Sequence, residues 1–433
     1  MLSSIGLRGA LGLLYLTSSV LGKCTEHWVD IWGSMPQLVE PANLPNPPYN
    51  ASGVVFQNAT LRQTVYITQD ASTIRLQFSN AFGGSDLPIT AVTVALPGNL
   101  TAAGGAGTSS IDTTTIQTVT FSGSAGFIVP NGALVVSDPI KLDVKAQSVL
   151  AVTMYLAQGQ TTNSITGHPG SRTTSYMVPG NHVSTADVAG VEGSAHVDHW
   201  YFLTTIEGWL PASRRALVVV GDSISDGRGS TTNANNRWPD QLLSRMQSNP
   251  ETKGISVINE AAGGNRILYD GLGPNALGRI ERDVIAQSGV GYAIIYEGVN
   301  DIGTAATDVA TQKANGDRVI SAYDQMITRL HRRGTAVFGA TITPMSGPGQ
   351  TYSDPNREAQ RQRINEWIRT SGRFDAVVDF DKAVRDPNNG TQLSPLYNSG
   401  DYLHLNPEGY RVMAATVDLG LFSKFAGGVH TMT

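Results

Sequence analysis

Apolar and polar residues alternate with a period of two along the first half of the chain, from about residue 27 to residue 207. This period is typical of half-buried β-strands, because successive side chains point to opposite faces of a sheet. Turn-forming sequences rich in Gly, Asn and Pro separate the runs. The pattern predicts a β-sandwich of antiparallel strands over residues 27–207. Strand-like runs occur at residues 61–67, 73–78, 89–96, 133–136 and 150–156.

The period changes after Pro211, where strand-like apolar runs begin to alternate with helical patterns. The apolar runs are 216–220, 255–258, 292–296, 336–340 and 376–380. The helical patterns are 238–246, 280–286, 318–330 and 357–368. Repeated strand–helix alternation favours a parallel sheet covered on both faces. We therefore expect a three-layer α/β/α domain with five parallel strands over residues 212–428.

Length and charge narrow the function classes. A chain of 433 residues is long enough for two domains. The net charge is −5, and no run of Lys or Arg is present. A nucleic-acid partner would need a basic stripe, and stable membrane association would need a polybasic patch, so neither is expected. We expect a monomer that acts on a small-molecule or polysaccharide-borne substrate.

The first 22 residues have the pattern of a secretory signal peptide. Arg8 precedes a short apolar run that ends in small residues, and cleavage is expected after Gly22. The apolar run is shorter than the ~20 residues that span a bilayer. The one cysteine, Cys24, has no partner for an internal disulfide. These features predict a secreted protein, in which four Asn-x-Ser/Thr sequons are candidate glycosylation sites: Asn50, Asn58, Asn99 and Asn389.

The candidate chemistry begins where the apolar run 217–220 ends abruptly in Gly221-Asp222-Ser223. A buried strand followed by a tight turn would place Ser223 at the carboxyl edge of the sheet, where open α/β sheets bind ligands. A polar turn without chemistry is the alternative for this segment taken alone.

Three later loops supply partners for this serine. Gly264 follows the second strand run, and its backbone can approach a substrate closely. Asn300 follows the third run. Asp401 and His404 are three residues apart, so the carboxylate can hold the imidazole. In acyl transfer, Ser223 would be the nucleophile, His404 its base and Asp401 the group that orients His404.

A developing oxyanion needs hydrogen-bond donors, and the backbone N–H groups of Ser223 and Gly264 with the side chain of Asn300 could supply them. The chemistry needs no cofactor and no metal. The pattern is not that of an α/β-hydrolase, because Ser225 stands where the Gly-x-Ser-x-Gly motif has its second glycine.

Four segments resemble the SGNH (GDSL-type) hydrolases: GDSISDG (221–227), GGNR (263–266), GVND (298–301) and DYLH (401–404). This resemblance implies the same roles for the serine, glycine, asparagine, aspartate and histidine, and a flavodoxin-like order of the five parallel strands. NRWP (236–239), Gly303 and ATITP (340–344) are similar to a subgroup of secreted esterases with an amino-terminal β domain, as are WVDIW (28–32) and SNAFG (79–83). Some members of that subgroup are linked to xylan breakdown or aryl-ester hydrolysis.

Several other side chains admit two interpretations. His168 could border a substrate cleft or be structural, and His196 with His199 could bind a metal, although their spacing disfavours it. Arg266 could reach substrate or pack. We expect structural roles for the remaining candidates: Asp222 as a cap, Asp226 and Asp301 as loop acceptors, and Trp238 and Trp367 as core.

The resulting functional prediction is a secreted serine esterase for short-chain esters, either acetyl groups on plant polysaccharide or small aryl esters. One alternative is a lipase or lysophospholipase of the same fold. Another is a carbohydrate-binding protein with a vestigial hydrolase domain. The β-sandwich could bind carbohydrate or only wall the active site.

Overall fold

The computed structural model describes residues 25–51, 53–98 and 104–430. The predicted signal peptide (1–22), Cys24 and the sequon at Asn99 lie outside the described residues. Within these ranges, no helix combines the length and the apolar character that a bilayer crossing requires.

The described residues up to 211 are dominated by short strands, with two 3₁₀ turns at Pro41–Asn43 and Thr113–Thr115. The strands are Glu26–Gly33 (β1), Gln37–Leu38 (β2), Asn50–Ala51 (β3), Val54–Val55 (β4), Ala59–Tyr66 (β5), Ala71–Ser79 (β6), Leu87–Ile89 (β7), Ala91–Ala95 (β8), Gln117–Val119 (β9), Phe127–Val129 (β10), Leu134–Val136 (β11), Ile140–Val144 (β12), Val149–Leu156 (β13), Thr166–His168 (β14), Ser175–Pro179 (β15), Ala195–Val197 (β16), Trp200–Tyr201 (β17) and Leu203–Pro211 (β18).

These strands form two main antiparallel sheets. One has the order β1-β18-β6-β11, with β12 also paired to β6, and the other has the order β16-β15-β5-β13-β8-β9. A small sheet, β17-β14-β2, and two strand pairs complete this half. The antiparallel β architecture predicted from the period of two is confirmed. The run 89–96 is divided at Thr90, because β7 pairs with β10 whereas β8 pairs with β13.

The second half alternates strands and helices, joined to the first half by residues 212–214. Its strands are Arg215–Gly221 (β19), Ile255–Ala261 (β20), Val290–Tyr296 (β21), Ala336–Ala340 (β22) and Ala376–Val378 (β23). Its α-helices are Ser223–Asp226 (α1), Trp238–Gln247 (α2), Ala276–Ile280 (α3), Val299–Thr304 (α4), Val309–His331 (α5), Pro355–Thr370 (α6), Phe380–Val384 (α7), Pro407–Thr416 (α8) and Gly420–Lys424 (α9). A π-helical turn, Glu281–Ile285, extends α3.

The five strands of this half are all parallel, in the order β20-β19-β21-β22-β23. This order confirms the predicted flavodoxin-like α/β/α domain. The predicted helix 280–286 begins earlier, because the Asn275 side chain accepts a hydrogen bond from the N–H of Gly278 and caps α3. The last strand ends at Val378 because the Asp379 side chain caps α7.

Strand β19 is central to the site, and its residues 216–220 are completely buried. Its position between β20 and β21 places the loops after all three strands at one sheet edge, where sheets of this class bind ligands.

The two halves pack together through β1, which runs along the edge strand β20. Ser34 forms a parallel bridge with Asn259, and the Ser256 hydroxyl donates to the carbonyl of Asp30 over 2.6 Å. Buried apolar side chains of both halves belong to one contiguous core. The β half therefore covers the otherwise open edge of the parallel sheet, and Gly33 marks the closest approach.

We expect Gly33→Ala to destabilise the protein by about 1–3 kcal/mol, the usual cost of overpacking. A Cβ at Gly33 would lie 2.4 Å from Ile258 Cγ2 and 2.7 Å from Glu260 Oε1. Thermal unfolding of wild type and variant measures the effect. Gly190→Ala is the matched control, since no heavy atom lies within 4 Å of its Cβ position. Equal unfolding temperatures for all three proteins would contradict close packing at this junction.

Candidate active site

Ser223 is the first residue of α1, immediately after the turn that follows β19. The carboxylate of Asp222 accepts the N–H of Ile224 at 2.9 Å, which confirms its expected capping role. Gly227, at φ 99°, closes the turn by donating to the Ser223 carbonyl. Burial raises the pKa of Asp222 to about 7, and the hydrogen bond from Ile224 opposes part of that rise.

The structure brings Ser223, His404 and Asp401 together in one hydrogen-bonded row. The distance from Ser223 Oγ to His404 Nε2 is 2.7 Å, and the distance from His404 Nδ1 to Asp401 Oδ2 is 2.6 Å. The other Asp401 oxygen accepts the backbone N–H groups of Leu403 and His404. Burial alone would raise the pKa of Asp401, but the hydrogen bonds from His404 and Leu403 outweigh it and hold the pKa well below its usual range. The carboxylate therefore stays ionised beside the imidazole.

Gly264 and Asn300, from the loops after β20 and β21, line the same cleft as Ser223 and His404. Gly264 has φ +72°, a conformation that favours glycine. The Asn300 amide donates to the carbonyl of Asn265 and accepts the hydroxyl of Tyr352, both at 2.9 Å. These bonds fix the direction of the Asn300 side chain next to the glycine loop.

Asp301 also holds the loop that carries Gly264. Its two carboxylate oxygens accept the N–H groups of Ile267 and Leu268 at 2.8 and 3.0 Å. Its expected role as a loop acceptor is confirmed. Burial raises the pKa of Asp301 to about 6, and those two N–H groups limit the rise.

Arg279, on α3, links the loops that follow β19, β20 and β21 and was not anticipated from the sequence. Its guanidinium donates to the carbonyl of Gly221, to the side chain of Asn265 and to Glu297, three groups in or beside the loops that follow β19, β20 and β21. It also pairs with Asp283 at 3.1 Å. The residue is 3% exposed, so nearly all its bonding is internal.

Residues 219–412 match the model of the GDSL-like Lipase/Acylhydrolase family. This segment is a GDSL-like acylhydrolase domain. The family assignment makes the protein a carboxylic ester hydrolase. The chain has no match among curated proteins.

Several solved structures are similar to about half of this chain. An acetyl xylan esterase variant from Geobacillus stearothermophilus is 21% identical with a TM-score of 0.36, over 51% of this chain and 97% of that chain. The lipase/acylhydrolase from Enterococcus faecalis is 20% identical with a TM-score of 0.36, over 49% and 96%. A GDSL-like lipase from Bacteroides thetaiotaomicron is 18% identical with a TM-score of 0.35, over 48% and 89%.

Asp226 of the acylhydrolase domain is bonded to His168 of the β half. His168 Nε2 lies 2.9 Å from one Asp226 oxygen, and the other oxygen accepts the N–H of Gly263 at 2.9 Å. The opposite ring nitrogen of His168 contacts the carbonyl of Met35. Both side chains are about 95% buried. A residue of the β half is therefore linked through one carboxylate to the loop that carries Gly264.

Both halves line the cleft in front of Ser223, which has a volume of about 670 Å³. That size suits a small-molecule ligand. Sequence reasoning missed Tyr352, Arg172, Arg228 and Leu272, which belong to none of the motifs and line one cleft only through long-range folding. The lining residues are Gln37, Glu40, Ala42, Asn43, Pro169, Gly170, Arg172, His199, Ser223, Asp226, Arg228, Gly263, Gly264, Leu272, Asn300, Tyr352, Leu403 and His404.

The remaining candidates have structural contacts. Arg266 bonds to the carbonyl of Asp270 and lies 5.5 Å from the Tyr269 ring centroid, so it packs within its own loop. Trp238 is fully buried and donates to Ser225, as expected for a core anchor, whereas Trp367 is half-buried and stacks on Tyr323. Within the described ranges, no group of three or more His, Cys, Asp or Glu side chains is arranged to hold a metal. His199 lines the cleft, while His196 is exposed beside Tyr176.

We expect His168→Ala to destabilise the protein by about 3 kcal/mol, because it leaves the buried carboxylate of Asp226 without its side-chain partner. Thermal or denaturant unfolding provides the measurement. His196→Ala is the control and should stay within about 0.5 kcal/mol of wild type, since that histidine is exposed. If the two alanine variants were equally stable, the His168–Asp226 bond would contribute nothing to the junction.

Proposed function

We propose that this protein hydrolyses short-chain carboxylic esters through an acyl-enzyme formed on Ser223. The observation that carries the proposal is the row Ser223–His404–Asp401, with contacts of 2.7 and 2.6 Å at the wall of a cleft. A serine hydroxyl is a weak nucleophile until a neighbouring base takes its proton, and this row supplies that base.

His404 accepts the Ser223 proton as the oxygen attacks the ester carbonyl, then returns it to the leaving alcohol. A water molecule repeats the sequence on the acyl-enzyme and releases the acid. Asp401 stabilises the imidazolium that forms in each step and keeps Nε2 directed at the serine. Its lowered pKa means that the Asp401 carboxylate stays charged beside the imidazole, in mildly acidic solution as well.

The oxyanion of the tetrahedral intermediate would be bound by the N–H groups of Ser223 and Gly264 and by Asn300. In the described part of the chain, neither backbone N–H has a hydrogen-bond partner. Asn300 uses its amide nitrogen for the carbonyl of Asn265, and that nitrogen carries a second hydrogen. Donors held this way need no rearrangement during the reaction.

The lining of the cleft favours a short acyl group over a lipid. Most of its side chains are polar or charged, and the apolar Leu272 stands directly beside Gly264. A Cβ placed on Gly264 would lie 2.5 Å from the Leu272 side chain, so little space remains there. A long acyl chain gains binding energy only from apolar walls. The lipase or lysophospholipase alternative is therefore weaker.

Hydrolysis is also favoured over a vestigial, carbohydrate-binding role. Both contacts of the catalytic row lie at hydrogen-bond distance, and Asp222, Asp301 and Arg279 support the loops around it. Such a network is costly to maintain without function, because each member is a buried polar group that needs a partner.

Secretion is part of the proposal and rests on the amino-terminal pattern of residues 1–22 and on the sequons. Among the described sequons, Asn58 and Asn389 are exposed and accessible to glycosylation, whereas Asn50 is half-buried.

Ser223→Ala should abolish ester turnover, because no other group at this position can form the acyl-enzyme. Initial rates on p-nitrophenyl acetate measure the loss, and labelling with a fluorophosphonate should mark wild type but not the variant. The unfolding temperature should barely change, which separates lost chemistry from lost fold. A variant with wild-type rates would remove Ser223 from the mechanism.

Rates on p-nitrophenyl esters should fall as the acyl chain lengthens beyond a few carbons, and acetylated xylan provides the polymeric comparison. Leu272→Ala should raise the octanoate-to-acetate rate ratio about tenfold, because space opens beside Gly264 and each buried methylene is worth about 0.8 kcal/mol. Leu396→Ala is the control, since this leucine is 73% exposed and does not line the cleft. A wild-type preference for long chains would overturn the short-acyl proposal.

A further inference from the structure

We propose that the cleft recognises an ester that also carries a carboxylate, and that Arg172 and Arg228 bind this anionic group. The inference rests on the proposed esterase function and narrows its substrate class. One arginine comes from the β half and the other from the acylhydrolase domain, so the anion would be held at the junction of the two.

Arg172 is an unpaired, partly buried cation in the cleft wall. Its Nε is buried and has no hydrogen-bond partner, and no described residue forms an ion pair with its guanidinium. A buried donor without a partner is costly and rare in folded proteins. A ligand that supplies the missing acceptor accounts for its position.

The backbone holds Arg172 in a strained conformation. Its φ is +52°, in the left-handed region that residues other than glycine seldom adopt. The segment is pinned on both sides, because Ser171 and Thr173 bond to each other and Asn233 donates to the Arg172 carbonyl at 2.9 Å. Such strain is typical of residues that are held in place for a ligand.

Arg228 is attached directly to the turn that carries the nucleophile. Its N–H donates to the Ser223 carbonyl at 2.9 Å, and its own carbonyl accepts the hydroxyl of Tyr410. Its side chain is exposed, lines the cleft and has no ion-pair partner among the described residues. Arg172 and Arg228 line the same cleft.

The acidic groups of the cleft are already occupied. Glu40 accepts the side-chain amides of Gln37 and Asn43 at 2.6 and 3.0 Å, and both oxygens of Asp226 are bonded, to His168 and to Gly263. The two arginine side chains are therefore the charged groups of the cleft that have no hydrogen-bond partner among the described residues.

A planar guanidinium pairs with a carboxylate through two parallel hydrogen bonds, which gives direction as well as attraction. An ester whose carboxylate is held by these hydrogen bonds would have its acyl carbon at a fixed position relative to Ser223. A phosphate offers the same acceptors, and the experiment separates the two.

The test compares 4-acetoxybenzoate with the neutral 4-acetoxybenzamide, and adds 4-acetoxyphenyl phosphate as a third substrate. Release of each phenol is followed by chromatography to obtain kcat/KM. The carboxylate-to-amide ratio of kcat/KM should fall about tenfold or more in Arg172→Gln, since a tenfold change corresponds to about 1.4 kcal/mol. Arg228→Gln, at an exposed position that the fold tolerates, should lower the same ratio. Added salt should lower it in wild type by screening the exposed arginine.

Arg332→Gln is the control, because Arg332 is exposed and does not line the cleft. It should leave the ratio unchanged. A ratio that is equal in wild type and both glutamine variants, with the neutral ester still hydrolysed, would overturn the anion site alone. A higher kcat/KM for the phosphate than for the carboxylate would overturn the choice of carboxylate. Absence of hydrolysis of every ester by wild type would overturn the esterase proposal itself.

Discussion

The internal bonding of Arg279 is the interaction on which the site's architecture depends. One buried guanidinium donates to Gly221 at the end of β19, to Asn265 in the loop after β20 and to Glu297 before α4. A buried positive charge is stable only when fully paired, so the three loops cannot separate without leaving it unsatisfied. Ser223, Gly264 and Asn300 come from these loops, and their spacing follows from the shared bonding to Arg279.

Burial, neighbouring charges and hydrogen bonds shift the pKa values of the carboxyl groups in this domain. Burial raises the pKa of Glu297, and repulsion from Asp222 adds to it while Arg279 opposes it. Asp401 has the opposite behaviour, because three hydrogen bonds outweigh its partial burial. The pKa values of carboxyl groups within one domain are therefore shifted in opposite directions. The buried Glu297 is a structural acceptor, whereas Asp401 stays charged beside the imidazole. Environment separates their roles.

The β half is part of the site. It covers the edge strand β20, where Gly33 leaves no room for a side chain, and it sends His168 to the carboxylate that holds Gly263. It also supplies one wall of the cleft, including Arg172. A hydrolase domain of parallel strands presents its reactive groups at one open edge. Here the β half forms part of the cleft wall at this carboxyl edge of the sheet. Substrate can therefore be selected by groups that the catalytic machinery does not use.

Short-range periodicity in the sequence was sufficient to predict both architectures, since a period of two or of 3.6 follows from strand and helix geometry. The motifs likewise singled out Ser223, Gly264, Asn300, Asp401 and His404 as candidates, because the first three follow predicted strands and Asp401 stands three residues before His404. Arg279 and Arg172 lie in no motif, and local sequence contains no signal for a side chain whose partners are distant in the chain. Only the tertiary structure decided which loops share a guanidinium, which histidine braces Asp226 and which cations remain unpaired. Those are properties of distances across the fold, set by how the two halves pack.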